Sequence, residues 1–193
     1  SMYARTIPTT IPAAGKLIRL AMTLLAFLAV GAAHADSARE IDAHADAALS
    51  EFRRTVKGAD EYLAAAKGVL VIPEVKKVGL VVGGQWGDGA LRIGGKTVDY
   101  YRLAAASVGF QAGVQQANYL FIFLTEAALN DFRTGKGWDA GIDAGVTLID
   151  ESVGTSVDTL KAKSSVVAFI FGKEGLMGGY SLKGQKLTKF KPE

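Results

Sequence analysis

The 193-residue chain carries 22 basic and 19 acidic residues and no cysteine, which excludes disulfide stapling and lipid attachment through a thiol. Residues 1–35 hold three of the bases (Arg5, Lys16, Arg19) and no acid, so residues 36–193 balance 19 against 19. The basic pI near 9.0 therefore belongs to the N-terminal segment, and the remainder lacks the electrostatic footprint of a general nucleic-acid binder.

In chain order, Ser1 stands before Met2 as a cloning remnant does, and the basic stretch leads into LAMTLLAFLAV (Leu20–Val30) and Ala33-His-Ala35. A basic start, a short apolar run and a small-residue cleavage site predict a secretory signal over residues 1–35. The run is well short of the ~20 apolar residues of a spanning helix. The expected location is thus exported: periplasmic, or associated with the cell envelope.

Residues 36–67 read as an N-terminal helical segment. Ser37-Ala-Arg-Glu40 is a capping box, and Ile41, Ala45, Ala48, Leu49, Phe52 and Val56 recur on one helical face. Gly58 interrupts, and Ala59–Lys67 predicts a second short helix. From residue 68 the texture changes: 21 of the 23 glycines lie between Gly58 and Gly184, separating β-rich runs at 68–73, 78–85, 89–95, 98–115, 118–125, 138–150, 164–172 and 175–190. TEAALNDFR (125–133) interrupts them with a Thr-capped helix. The predicted fold class is α+β, mainly antiparallel β: a barrel-like or sandwich sheet with N-terminal helices and one short inserted helix. VLVIPEVKKVGLVVGGQ (69–85) and VVAFIFGKEGLMGGYSL (166–182) echo each other as an apolar strand, a charged turn and a glycine-bearing strand, so two similar hairpins are expected near the closure of one sheet.

ALRIGGKT (90–97) matches the pattern of a nucleotide-binding loop, but that loop must open a helix whose amides hold the phosphates. Here VDYYRL follows, which predicts a strand, and Gly94-Gly95 predict a hairpin turn; no nucleotide partner is expected. Residues 36–193 contain one histidine, His44, placed on the polar side of the first helix. With no cysteine beside it, neither a zinc cluster nor a nucleophile–base dyad is expected. Asp139 and Asp143 share a face of the 138–150 strand, read as its solvent side. The chain is read as non-enzymatic, with no cofactor.

AKGVLVIPEVKKVG (66–79), GGQWGDGALRIGGKTVDYYR (83–102), SVGFQAGVQ (107–115) and FGKEGLMGGYSLKG (171–184) resemble, in order, the SYLF domain family, over about residues 59–193. The resemblance implies phospholipid or membrane binding without catalysis. Eukaryotic relatives use an amphipathic N-terminal segment with basic residues, and some bind actin. Applied to this chain, it makes Arg53, Arg54, Lys57, Lys67, Lys76 and Lys77 candidate contacts for anionic lipid, each contributing about 1 kcal/mol if they converge. Trp86 is a candidate for the headgroup boundary, as are Tyr100, Tyr101 and Trp138. Asp42, Asp46, Glu51, Asp60 and Glu61 offset the bases, so the first helix is not a strongly basic membrane helix. The competing reading is an envelope scaffold that recruits a protein partner through exposed strand edges.

Overall fold

The computed structural model describes residues 37–79, 82–108, 113–135, 137–140, 145–149, 156–175 and 182–193. The predicted signal segment lies outside the described residues, as do Asp143 and the second arm of the later echo hairpin. Residues 36–193 form one compact unit.

Helix α1 (Ala38–Thr55) begins at the predicted capping box: the Glu40 amide donates to Ser37 Oγ, and the Ser37 amide and hydroxyl both donate to the Glu40 carboxylate. Those hydrogen bonds hold the Glu40 carboxyl below its ordinary pKa. Ile41, Ala45, Ala48 and Phe52 form its buried face. The helix stops where Val56 turns extended and Gly58 adopts a left-handed φ of 78°, before α2 (Ala59–Ala65).

Among the described residues eight strands follow: β1 (Gly68–Gly79), β2 (Val82–Ile93), β3 (Lys96–Val108), β4 (Gly113–Phe123), β5 (Trp138–Asp139), β6 (Val146–Ile149), β7 (Val166–Gly175) and β8 (Lys186–Phe190). Helices α3 (Glu126–Thr134) and α4 (Val157–Lys161) are inserted between them. The strands form one sheet in the order β5-β8-β3-β2-β1-β4-β7-β6, a half-barrel that is antiparallel except where β6 runs parallel to β7. α+β, mainly antiparallel β, with a short inserted helix after β4, is the observed architecture.

Both faces of the sheet are buried, which is why several strands read as continuous apolar runs. On the outer face Val69, Val71, Ala90, Leu120, Ile122, Val167, Phe169 and Phe171 pack against α1 and α2. Phe52 is fully buried there, with its ring centroid 5.0 Å from Phe169 and 5.3 Å from Phe171. Inside the half-barrel Leu70, Ile72, Val75, Tyr101, Leu103, Tyr119, Phe121 and Phe123 meet Leu129 and Phe132 of α3.

Several predicted boundaries shift. The 68–73 and 78–85 runs were expected to be separate strands joined by a charged turn, yet β1 runs unbroken through Glu74-Val75-Lys76-Lys77. A bulge absorbs the irregularity: Ile72 pairs with Tyr119 and Val75 with Ala117, so Pro73 and Glu74 together face Asn118. The 98–115 run splits into β3 and β4. The 138–150 run divides into β5 and β6, which lie at opposite edges of the sheet. The echo segments become β1 and β7, which do not pair with each other but flank β4, one on each side. The nucleotide-loop pattern is a hairpin, with Gly94 and Gly95 at φ 58° and 76° between β2 and β3. That left-handed pair is the geometry a two-residue hairpin turn requires, and a strand stands where a phosphate loop needs its helix.

Candidate lipid-facing site

The β1 bulge decides what one end of the sheet presents to solvent. Before it, Leu70 and Ile72 point into the half-barrel; after it, Val75 does. The extra residue inverts the alternation, so Lys76 and Val78 emerge on the outer face and Lys77 turns to the inner one. Lys76 pairs across the ladder with Trp86 and Gln116, and Val78 with Gly84 and Val114. Helix α1 covers the outer face only as far as the bulge. Beyond its reach Val82 is 69% exposed, Val114 65% and Trp86 41%. Lys76 is exposed beside them with no charged partner among the described residues. The connections at this end, 80–81 and 109–112, read LV and GFQA in sequence.

Two side chains anchor this geometry. Asn118, nearly buried, accepts a hydrogen bond from the Glu74 amide at 2.9 Å and donates from Nδ2 to Glu51 of α1 at 3.0 Å. On the other flank of β4 a second irregularity places Gly172 at φ 62°. A Cβ there would come within 2.8 Å of both Asn118 Nδ2 and Glu51 Oε1, so the position admits only glycine without displacement. A cleft of about 360 Å³ adjoins this node, lined by His44, Glu51, Glu74, Asn118 and Lys173. His44 is half exposed, as predicted, and its Nδ1 lies 3.2 Å from Glu74.

The six candidate bases do not converge. Arg53 and Arg54 lie on the last turn of α1, and Lys57 and Lys67 are exposed nearby in sequence. Lys67 precedes Lys76 by nine residues, roughly 30 Å at ~3.3 Å per strand residue. Arg53 is 3.6 Å from Asp60, an exposed pair of the kind that contributes about 0–1 kcal/mol. Lys77 lies on the inner face and is already engaged. Arg53 and Lys67 instead line a hollow of about 210 Å³ with Arg92 and the Gly94-Gly95 turn.

Of the four candidate rings, only Trp86 is exposed. Tyr101 is buried against Phe132 at 4.4 Å, and burial raises its phenol pKa well above the ordinary value. Trp138 packs edge-on to Phe121 and Phe132. Tyr100 donates to Asp42 of α1, and burial together with that carboxylate raises its pKa.

Sequence reasoning missed Val82 and Val114. Their signal was alternation with buried neighbours on β2 and β4, legible only once the strand boundaries are known. It also missed the buried amide cluster inside the half-barrel, where Gln85 donates to the Tyr119 hydroxyl and Gln185 approaches both. Among the described residues no group of three or more His, Asp or Glu side chains is arranged to hold a metal. No described helix is long and apolar enough to cross a membrane.

No curated protein matches the chain. The family model described as "Ysc84: Las17-binding protein actin regulator" matches residues 104–192, from the middle of β3 through β8. Over that segment the chain is similar to the Ysc84, or SYLF, family.

Proposed function

We propose that this chain is a non-catalytic, peripheral phospholipid-binding protein that lays the bulged end of its sheet on an anionic bilayer. Val82, Trp86 and Val114 enter the headgroup boundary, and Lys76 meets the phosphates. The observation that carries the reading is this exposed apolar trio beside a lysine with no charged partner among the described residues, on a face that α1 leaves uncovered. Clustered apolar exposure of this kind marks an interaction surface, an indole favours the headgroup level, and one nearby lysine contributes about 1 kcal/mol of attraction to an anionic surface. The family similarity supports a binding rather than a catalytic role. The family description speaks of Las17 binding and actin regulation; an exported chain meets neither, so envelope phospholipid is the proposed target. Export itself is proposed from the N-terminal sequence.

The strand-edge scaffold reading draws less support, because among the described residues the terminal strands β5 and β6 span two and four residues and such short edges offer little to a partner strand.

The test is co-sedimentation of residues 36–193 with neutral and anionic vesicles at low and high salt. Preference for anionic vesicles that salt reduces but does not abolish is expected, since screening weakens only the charged component. Absence of binding to both vesicle types overturns the proposal.

A further inference from the structure

The hollow beside the Gly94-Gly95 turn stands apart from the bulged end of the sheet and rests on separate observations. Three cations from three elements line it: Arg53 from α1, Lys67 from the α2–β1 junction and Arg92 from β2. Arg92 is largely buried and already half committed. Its Nη1 donates to Asp46 at 2.8 Å and its Nη2 to the Asp42 carbonyl at 3.2 Å, with the Asp42 carboxylate 3.6 Å away, while its buried Nε has no acceptor among the described residues. Among the described residues Arg53 is tied only to the exposed Asp60, and Lys67 has no charged partner.

The walls are apolar, formed by Leu49, Leu63 and Val69, which strengthens any charge interaction inside. A Cβ added to Gly94 or Gly95 would meet nothing within 4 Å, so the turn offers bare backbone to an approaching group. A volume near 210 Å³ accommodates one tetrahedral anion with part of its ester.

We infer that this hollow binds a single phosphate group, as a monoester or diester. Arg53 and Lys67 supply mobile charge, and Arg92, held in place by Asp42 and Asp46, a fixed positive wall. Such charge-assisted hydrogen bonds to phosphate oxygens are the strong class. The phosphate belongs either to a free ester or to a lipid headgroup. Because the hollow lies at the other end of β1 from Lys76, its ligand does not come from the bilayer that the apolar trio contacts.

The full chain, isotope-labelled for amide NMR, is titrated separately with inorganic phosphate, glycerol 3-phosphate and short-chain phosphatidylglycerol below its micelle concentration. Saturable shifts confined to Lys67, Gly68, Gly94 and Gly95 are expected. Shifts with all three probes assign a free phosphate as sufficient; shifts with the lipid alone assign the headgroup. Arg53→Gln and Lys67→Gln each weaken binding about tenfold, the scale of a lost charged hydrogen bond, and Arg53→Lys restores part of it. Val82→Ser leaves it unchanged, which separates this site from membrane docking. No localised shift with any probe, or unchanged binding in both Gln variants, overturns the assignment.

Discussion

Replacing Val82 and Val114 by serine removes the two most exposed apolar side chains described at the bulged end while leaving the fold intact. Full burial of a valine-sized side chain contributes about 1.5–3 kcal/mol, and valine sits at the lower end. With 69% and 65% of these residues still exposed, about 1 kcal/mol per residue remains to be gained on entering lipid. Each single variant should therefore lower the vesicle partition coefficient about fivefold. The two positions lie two strands apart, roughly 10 Å at ~4.8 Å per strand, so their effects should add and the double variant should lose about 25-fold. Both side chains are exposed, so urea midpoints should shift by no more than about 0.5 kcal/mol equivalent. Flotation of residues 36–193 against anionic vesicles over a lipid series gives the partition coefficient directly. A double variant that stays folded and partitions like the parent refutes the docking geometry.

Charge placement gives a paired expectation: Lys76→Glu weakens anionic-vesicle binding at low salt, whereas Arg53→Glu with Arg54→Glu changes it little; the opposite ranking by co-sedimentation would relocate the contact to α1. Phe52→Ala should cost about 3–5 kcal/mol in urea unfolding, since a fully buried ring loses both Phe169 and Phe171. Gly172→Ala should destabilise by more than 1 kcal/mol through left-handed strain and the crowding of Asn118, measured the same way. At α1, the depressed Glu40 pKa means its contribution is present above the ordinary carboxyl range and is lost as pH falls through the lowered folded value. Carboxyl NMR titration should find that midpoint low, and Ser37→Ala should return it toward normal.

The sequence made the secondary elements legible wherever one face was buried. Ser37, Glu40 and the Ile41–Phe52 spacing specified α1, and Gly94-Gly95 between two β-rich runs specified the hairpin. It failed where alternation breaks. Glu74 occupies a left-handed φ of 49°, a conformation that non-glycine residues seldom adopt, and nothing local in PEVKK distinguishes a bulge from a turn. Because β1 continues through them as a strand, Lys76 and Lys77 fall on opposite faces, and the extra residue decides which of them points outward. A cluster argued from proximity in sequence therefore could not survive. The sequence offers Trp86 together with Tyr100, Tyr101 and Trp138 for amphipathic ring chemistry, and does not separate it from the three rings that are not exposed. Val82 and Val114 resemble every other strand valine until α1 is seen to stop short of them.

Trp86 itself provides the most direct test. With Trp138→Phe removing the other indole, emission of Trp86 is recorded as anionic vesicles carrying lipids brominated at graded depths are added. The account expects a blue shift and strongest quenching by bromines close to the headgroups. Unchanged emission and no quenching, under conditions where the protein sediments with the vesicles, would contradict it.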